Sequence, residues 1–570
     1  MIFRNIIAFL LILPAAFRVY AQNYRFPLDR ELSMSANFGE LRNNHFHSGI
    51  DLRVGGAPGA KVYAIESGHI SRIYVSGTGY GKALYIEHPD GHTSVYAHLD
   101  RFAGKIAEYV EEYQYKRQRF HVNDYTDTAR LKVKKGDIIG YAGNTGSSFG
   151  AHLHFEIRDS KLQSPLNIVT KGYVTPIDNL PPVLHRIAIF TLDTINDVTR
   201  PRLLKSEKAV RKANSFVPEK NSTFNVCNPV FIGINASDFQ PGNTSRHGIY
   251  RMMAYLDNEL FFSFKKDRLE FKHTRCINSF IAYDELVNSR TTYIKTYIED
   301  GNTLPFYENV RNRGLIILKD TLPHNVRIEL FDDSQNKSTA NFKIRKSAKV
   351  ETKHQTVNPA QFITINRSCA FEYYEDGLEI YIEPESLYSA SLFKSLKTGM
   401  AGAYSPLWSI GYENIPLHNA MKVKIKPLNL PSHLKEHAFI ARQNRNADIS
   451  YCGGQFDASG MIVAEVPSFG NYFISVDTVA PKISVKAKSS NFSAMDRMTV
   501  FLDDDISGIK SCDGYIDGEW ALFEHDPKTK SMTCIFSKKR MGTKGRKRQL
   551  KVVATDNCGN TAEFTYSFVY

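Results

Sequence analysis

The five residues His47–Asp51 read HSGID, and the five residues His152–Glu156 read HLHFE. The first stretch places an imidazole and a carboxylate four residues apart, and the second places two imidazoles two residues apart. Residues i and i+2 of a strand point to the same face, so His152 and His154 are expected to converge on one site. Both stretches lie in a histidine-rich part of the chain, because nine of the 18 His fall between His45 and His154.

These residue types are the ones that hold a catalytic metal ion. Zinc takes imidazole and carboxylate ligands, and a catalytic zinc ion typically has three protein ligands and an open position for water. Any three of His47, Asp51, His152 and His154 would complete such a set and leave one histidine as a general base. His98, at the end of a predicted strand, is a fifth candidate.

The surrounding segment reads as a β-rich domain with one helix. Short runs of β-branched and aromatic residues, separated by turns that contain glycine, predict strands. The predicted strands are Lys61–Ile65, His69–Ser76, Lys82–His88, Thr93–His98, Ile138–Ala142 and His152–Arg158. Within Gly104–Phe120, apolar residues recur at helical spacing, which predicts one short surface helix.

Several further motifs stand between and around the two histidine stretches. In chain order the motifs are NFGE (37–40), HSGID (47–51), VYA (62–64), GYG (79–81), YAHL (96–99), VKKGD (133–137), GNTG (143–146) and HLHFE (152–156). Together they resemble the LytM/lysostaphin-type zinc metallopeptidases, which cut peptide bonds in bacterial peptidoglycan. The resemblance covers roughly Phe38 to Pro165. It implies a small, mostly antiparallel β-sheet with zinc in a groove on one face.

The resemblance also implies a role for each candidate residue. By this resemblance, His47, Asp51 and His154 are the zinc ligands. His152 is the catalytic histidine beside the metal, and His98 is a second histidine that faces the substrate. The implied activity is that of a zinc-dependent metalloendopeptidase that hydrolyses peptide cross-links of bacterial peptidoglycan in cell-wall remodelling. The alternative is a non-catalytic relative that binds peptidoglycan or activates a separate amidase. Such relatives usually lack metal ligands, and the presence of all five residues here favours catalysis.

One segment departs from the family pattern. Asp100–Leu131, between the YAHL and VKKGD motifs, is longer than the resemblance leads us to expect and holds the predicted helix. Two interpretations stay open for it. The segment either borders the groove, where it could shape specificity or cover the site, or is a surface insertion without such a role.

The chain of 570 residues is long enough for roughly four domains. After Pro181-Pro182 many short predicted strands and turns indicate tandem β-sandwich domains, which resemble immunoglobulin-like extensions of bacterial surface enzymes. The fold class is therefore mainly β. The predicted division is a peptidase domain (22–180), a β-sandwich (181–346), a β-rich domain (347–478) and a C-terminal immunoglobulin-like β-sandwich (479–570). In a third functional interpretation, these sandwiches are adhesion or surface-binding modules that carry the main function of the protein, and the peptidase domain is an accessory.

The first residues predict the compartment. Met1–Ala21 has Arg4 near its start, a short apolar run and small residues before Gln22, which is typical of a secretory signal peptide. We therefore expect secretion to the periplasm or cell surface of a bacterium, without a transmembrane anchor. The seven Cys are scattered without a CxxC pair, which favours buried free thiols, although Cys512–Cys534 could pair.

The net charge of +13 is compatible with nucleic acid, an anionic membrane or an anionic polymer. The signal peptide argues against nucleic acid. The expected partners are the peptide part of peptidoglycan and an anionic envelope polymer. Lys538–Lys551 (KKRMGTKGRKRQLK) is densely basic and reads either as a solvated hairpin or as a binding surface for such a polymer.

Overall fold

The computed structural model describes residues 24–126, 131–195, 198–350, 362–487 and 489–570. The predicted signal peptide, Met1–Ala21, lies outside the described residues. Four large hydrophobic cores centre on residues 28–174, 184–344, 365–474 and 492–570. We propose the four-domain division given above, and these four cores support it, although the second core also includes Phe38, Phe46 and Tyr388 from the neighbouring domains. No helix within the described ranges is long and apolar enough to cross a membrane.

The first domain is an antiparallel sheet with one helix against it. Its elements are β1 (Met34–Ala36), β2 (Leu41–Arg42), β3 (His45–Phe46), β4 (Ile50–Arg53), β5 (Lys61–Tyr63), β6 (Gly68–Val75), β7 (Lys82–Glu87), β8 (His92–Ala97), β9 (Leu99–Phe102), α1 (Gly104–Arg117), β10 (Val122–Asp124), β11 (Lys132–Val133), β12 (Ile138–Ala142) and β13 (His152–Asp159). The main sheet has the order β1-β4-β13-β8-β7-β6-β10, with β11 beside β6. Each predicted strand begins within one residue of the observed one, so the β-rich reading is confirmed.

The side chains of β13 alternate between the hydrophobic core of this domain and the opposite face of the sheet, which carries the site. Leu153, Phe155 and Ile157 are buried in the hydrophobic core. Successive side chains of a strand point to opposite faces, so His152 and His154 lie on the other face of the sheet. The apolar side chains of β13 therefore anchor the strand in the core. Its polar side chains, on the opposite face, can form a site.

The second domain contains two helices and eleven strands. Its elements are β14 (Val183–Ile195), β15 (Val198–Lys212), β16 (Ser215–Pro218), β17 (Thr223–Val226), β18 (Val230–Ser237), β19 (Arg251–Leu256), β20 (Glu259–Lys265), α2 (Ile277–Phe280), α3 (Tyr283–Ser289), β21 (Ile294–Lys295), β22 (Tyr307–Val310), β23 (His324–Phe331) and β24 (Lys337–Lys346). The strands form one connected sheet of eleven rather than two separate sheets. The long strand β15 is the reason, because it pairs with β14 along most of its length and with β16 at its end.

The third domain is built from two five-stranded sheets and one two-stranded sheet, and the fourth from two four-stranded sheets. The third contains β25 (Ile363–Ile365), β26 (Phe371–Glu375), β27 (Leu378–Ile382), β28 (Ser391–Phe393), β29 (Ser395–Thr398), β30 (Leu407–Ile410), β31 (Met421–Ile425), β32 (Ala438–Gln443), β33 (Ile449–Tyr451), β34 (Gln455–Phe456), β35 (Ile462–Val466) and β36 (Gly470–Val476). The fourth contains β37 (Lys482–Val485), β38 (Arg497–Asp503), β39 (Ile509–Ile516), β40 (Glu519–Ala521), β41 (Glu524–Asp526), β42 (Ser531–Ile535), α4 (Lys538–Met541), β43 (Lys547–Asp556) and β44 (Thr561–Val569). Two four-stranded sheets make the fourth domain a β-sandwich.

All seven cysteines lie within the described residues, and all are free thiols. Cys276, Cys534 and Cys558 are buried, whereas Cys369 is exposed and the other three are partly buried. The pairing of Cys512 with Cys534 that the spacing left open is not formed. The cores of the four domains are large enough to hold these thiols without cross-links.

The predicted helix α1 is a docking surface for the fourth domain. Its Tyr115 packs edge-on against Trp520 at 5.2 Å between ring centroids, and its Glu111 accepts a hydrogen bond of 3.1 Å from Arg540. Arg540 also stacks over the Tyr115 ring. The segment Asp100–Leu131, whose role the sequence left open, therefore contacts the fourth domain through its helix.

Part of the basic run Lys538–Lys551 is used in the same interface. It forms α4 and the start of β43, with a turn between them, rather than a simple hairpin. Arg540 stays solvent-exposed while it makes this interface contact.

Candidate active site

His47 and Asp51, four residues apart, meet the distant His154 at the polar face of the sheet of the first domain. Nε2 of His47 lies 3.0 Å from Oδ1 of Asp51 and 3.0 Å from Nδ1 of His154. Nδ1 of His154 lies 2.9 Å from Oδ1 of Asp51. All three residues are less than 9% exposed. Two nitrogens and one oxygen therefore face a single point in a buried pocket of the sheet.

Strand register brings these residues together. β4 pairs antiparallel with β13, and this places Asp51 directly opposite His154. His47 comes just before β4, in the bend that follows β3. Gly49 lies in this bend, and a Cβ there would stand 2.4 Å from the carbonyl oxygen of Phe155. The bend can approach β13 this closely only with glycine at that position.

Each histidine of this group is oriented by its other ring nitrogen. Nδ1 of His47 lies 2.8 Å from the carbonyl oxygen of Asn37. Because a carbonyl only accepts, this nitrogen carries the proton and Nε2 presents a lone pair. Nε2 of His154 lies 2.8 Å from Oε1 of Glu156, so its Nδ1 faces the group. Such carboxylate or carbonyl partners are typical of histidines that bind metal ions.

Glu156 is the centre of a buried polar network behind His154. It is fully buried and accepts hydrogen bonds from Ser48, Tyr80 and Arg158 at 2.7, 2.6 and 2.6 Å. Burial alone would raise the pKa of Glu156, but Arg158 and His154 outweigh it and hold this pKa well below its usual range. Glu156 is therefore an anion that holds the His154 ring in one orientation.

The spacing of this network is visible in the sequence, although our sequence reasoning assigned no role to Glu156 or Arg158. Residues 152, 154, 156 and 158 all alternate onto one face of β13. Extending the HxH pattern by two further steps would have identified both residues. Tyr80 and Asn37 carry no comparable local signal, because their partners are distant in sequence.

Two further imidazoles stand beside the three donors. The ring centroids of His98 and His152 are 4.9 Å apart, and Nε2 of His152 lies 3.4 Å from Oδ1 of Asp51. Nδ1 of His98 faces the carbonyl oxygen of Thr145 at 2.8 Å, and Nδ1 of His152 faces that of Gly150 at 2.8 Å. Both rings therefore carry a proton on Nδ1 and present the lone pair of Nε2.

His98 reaches this position through an unusual backbone conformation. It lies between β8 and β9 with φ = 58°, in the left-handed region that is rare for residues other than glycine. Its own N–H donates to the carbonyl oxygen of Tyr80 at 2.9 Å, which holds the turn. Burial, together with His154 and His152, lowers the pKa of His98 to about 3. The ring is therefore neutral, and its Nε2 presents a lone pair.

The three donor atoms fit a four-coordinate metal ion. Ligand atoms at about 2.1 Å from a tetrahedral zinc ion lie roughly 3.4 Å apart. The separations of 2.9–3.0 Å need only a slight expansion to reach that value. Burial would raise the pKa of Asp51, but the neighbouring histidines outweigh it and keep this carboxyl ionised. His47, Asp51 and His154 are thus the residues that could hold a metal ion here.

The loop 143–150, which carries the carbonyl partners of His98 and His152, is also held from outside the first domain. Nζ of Lys528, in the fourth domain, donates hydrogen bonds to the carbonyl oxygens of Asn144 and Ser148 at 2.5 and 2.9 Å. Oγ of Ser148 lies 3.2 Å from Nδ1 of His152. The fourth domain therefore contacts one wall of the site.

The sequence matches two family profiles. Residues 45–115 and 104–167 match Peptidase family M23 in two overlapping stretches, and residues 361–477 match the Zu5-like domain. The first match spans all five candidate residues. The second falls in the third domain of the structure.

Relatives with similar sequences are named as peptidases. The chain is 34% identical over 137 residues to "DD-carboxypeptidase/endopeptidase Mpg" of Neisseria gonorrhoeae, covering 24% of this chain and 25% of that protein. It is 26% identical over 155 residues to an "Uncharacterized metalloprotease" of Haemophilus influenzae, covering 26% and 27%. The chain thus spans about a quarter of the length of the curated relatives it matches.

A solved structure shares the same region. The catalytic domain of lysostaphin from Staphylococcus simulans is 30% identical, with a TM-score of 0.16, and the match covers 22% of this chain and 80% of that one.

Proposed function

We propose that the chain is a zinc metalloendopeptidase and that residues 45–167, which match Peptidase family M23, form its catalytic domain. Its substrate in this proposal is the peptide cross-link of bacterial peptidoglycan. The observation that carries the proposal is the meeting of His47, Asp51 and His154 beside two further imidazoles, those of His98 and His152.

We assign the zinc ligands to His47 (Nε2), Asp51 (Oδ1) and His154 (Nδ1). Two imidazoles and one carboxylate are a common set for catalytic zinc, which then keeps a position open. Bound zinc supplies a Lewis acid that lowers the pKa of water and polarises a carbonyl group. Asn37 and Glu156 hold the two rings so that their donor atoms already face the metal position.

His152 and His98 carry the proton steps in this proposal. Their Nε2 atoms present lone pairs at the edge of the donor group, where they can accept a proton from the attacking water. The protonated imidazole can then donate to the leaving amine and hydrogen-bond the oxygen that becomes negatively charged. The carbonyl oxygens of Thr145 and Gly150 keep each ring in the tautomer that this requires.

The identity of the substrate rests on the relatives. One of them is named a DD-carboxypeptidase/endopeptidase and another lysostaphin. We propose by analogy that this chain acts on peptidoglycan peptides in the periplasm or at the cell surface. The basic character of the chain, with a net charge of +13, favours retention near an anionic envelope polymer.

The decisive experiment is digestion of purified sacculi followed by mass spectrometry of the muropeptides. The wild-type chain should reduce the cross-linked species, a zinc chelator should stop this, and added zinc should restore it. The variant His47→Ala should lose both bound zinc and cleavage. If sacculi remain cross-linked with fully zinc-loaded wild-type chain, the proposal of peptidoglycan cleavage is wrong and the non-catalytic alternative is favoured.

A further inference from the structure

A second group of acidic side chains lies where the first domain meets the second. Asp178 is in the linker between the domains, Asp238 directly follows β18, and Asp332 directly follows β23. One carboxylate oxygen of each lies within 4.8 Å of the other two. Three carboxyl groups, none of them among the five candidate site residues, are therefore brought close together at a domain junction.

One carboxylate of this group has a buried oxygen without a hydrogen-bond partner. Asp238 is only 2% exposed, and its Oδ1 has no hydrogen-bond partner. No ion pair among the described residues includes Asp178, Asp238 or Asp332. Burying an ionised carboxylate without a compensating charge is costly, so Asp238 is ionised at neutral pH only when a cation binds beside it. Burial and the neighbouring Asp332 raise the pKa of Asp238 to about 9, as expected for an uncompensated charge.

The other two carboxylates are held so that they face the same point. Asp332 accepts hydrogen bonds of 2.8 Å from both the backbone N–H and the side-chain amide of Asn336. Asp178 accepts one from the N–H of Leu180 at 3.1 Å. The amide of Asn336 also donates to the carbonyl oxygen of Asp178 at 3.2 Å, which ties the linker to the turn after β23.

The same constellation occurs a second time in the chain. Asp477, Asp504 and Asp556 also bring one carboxylate oxygen each within 4.8 Å of one another. Asp477 lies five residues before β37, as Asp178 lies five residues before β14. Oδ1 of Asp504 is likewise buried without a hydrogen-bond partner. This second group stands at the junction of the third and fourth domains.

The hydrogen bonds of the second group repeat those of the first. Asp556 accepts from the N–H and the side-chain amide of Asn560 at 2.9 and 2.7 Å. That amide also donates to the carbonyl oxygen of Asp477 at 2.7 Å, and Asp477 accepts from the N–H of Val479 at 3.1 Å. Two junctions with different sequences thus arrive at the same arrangement of oxygens.

We propose that Asp178, Asp238 and Asp332 bind a Ca²⁺ ion that fixes the junction between the first and second domains. The donor group consists of carboxylate oxygens and includes neither histidine nor cysteine, so it suits a hard cation rather than zinc. Ca²⁺ accepts six to eight oxygens in irregular geometry, whereas Mg²⁺ demands a near-ideal octahedron. Ligands from a linker and two separate loops match the less demanding ion.

The Ca²⁺ ion would hold a segment that reaches the candidate active site. Asp333 follows the ligand Asp332 and accepts a hydrogen bond of 2.6 Å from the side chain of Asn37. The carbonyl oxygen of Asn37 in turn orients His47. The ion thus stabilises the junction from which one candidate zinc ligand is positioned, although its binding does not depend on peptidase activity.

The test is calorimetric titration of Ca²⁺ into the zinc-loaded, Ca²⁺-free full chain, with the melting temperature measured in parallel. The variant Asp238→Asn should bind one Ca²⁺ fewer than the wild type and show a smaller rise in melting temperature on Ca²⁺ addition. Asp376→Asn, at an exposed position, is the matched control and should behave as wild type.

Asp178→Asn provides a second variant in case Asp238→Asn does not fold, because Asp178 lies in a partly exposed linker. It should also lose one bound ion. Equal Ca²⁺ stoichiometry in wild type and both variants, or no Ca²⁺ binding to the wild type, would overturn the proposal. Mg²⁺ binding with equal affinity would overturn the assignment to Ca²⁺. Cleavage of sacculi is a separate readout, so failure here does not bear on the peptidase proposal.

Discussion

The side-chain amide of Asn37 donates a hydrogen bond of 2.6 Å to Oδ2 of Asp333, across the interface between the first and second domains. Both residues are less than 9% exposed. The carbonyl oxygen of Asn37 accepts the proton of Nδ1 of His47. Beside them, Nζ of the fully buried Lys266 donates to the carbonyl oxygen of Gly39 at 2.7 Å. The second domain therefore takes part in holding the first candidate zinc ligand.

We predict that Asn37→Ala weakens both the fold and the metal site. The change removes a buried hydrogen bond to a charged group, so the free energy of unfolding should fall by about 2–3 kcal/mol. Zinc affinity should fall by up to ~10-fold, because the backbone that orients His47 is less firmly held. Chemical denaturation and competition with a zinc-binding dye measure the two effects. Asn43→Ala, at an exposed turn, should change neither, and an unaltered stability of Asn37→Ala would contradict this interface.

The network behind His154 gives a second prediction. Glu156→Gln keeps an oxygen for His154 but removes the charge that pairs with buried Arg158. Zinc affinity should fall by roughly 10- to 100-fold, since partners of this kind fix the ligand ring. Competition with a chelator of known affinity measures it. Glu87→Gln, on β7 of the same sheet but not next to β13, is the control. Wild-type zinc affinity in Glu156→Gln would show that Glu156 does not orient His154.

Much of the candidate site could be predicted from local patterns. The alternation of β13 already places His152 and His154 on one face, and the turn signals predict the surrounding strands. The contact of Asp51 with His154 is different, because it depends on the register between β4 and β13, about 100 residues apart in the chain. The residue types grouped Asp51 and His154 among four candidate ligands, but only the family resemblance assigned both of them to one zinc site.

The contacts between domains could not be predicted from the sequence. Asn37 and Asp333 are 296 residues apart, and Lys528 reaches Asn144 across 384 residues. Such contacts depend on how whole domains pack, which neither periodicity nor composition encodes. The same reason explains why the helix in Asp100–Leu131 could be predicted while its role in docking the fourth domain could not.

We predict that His98 and His152 are needed for catalysis but not for metal binding. His98→Ala and His152→Ala should each keep about one zinc ion per chain, because neither supplies one of the three proposed ligands. Loss of a positioned proton-transfer group should lower kcat/KM by roughly 10²- to 10⁴-fold. Metal analysis and muropeptide release from sacculi give the two readouts. Either variant losing its zinc, or retaining wild-type turnover, would require a different assignment of roles.

The contact of Lys528 with the loop 143–150 leads to the last prediction. Its ammonium group holds the carbonyl oxygens of Asn144 and Ser148, and the same loop carries the carbonyl partner of His98. Lys528→Ala should loosen this wall and lower kcat by roughly 3- to 10-fold, since small displacements of catalytic groups reduce rates strongly. Because Lys528 is exposed, stability should change by less than about 1 kcal/mol.

Turnover of sacculi and denaturation curves measure these effects, with the exposed Lys510→Ala of the same domain as the matched control. Zinc content should equal that of the wild type, because Lys528 contacts none of the three proposed ligands. The direction of the change distinguishes two roles for the fourth domain. A fall in kcat with intact zinc means that this domain supports the wall of the groove, whereas a rise would mean that it obstructs access and would contradict our prediction.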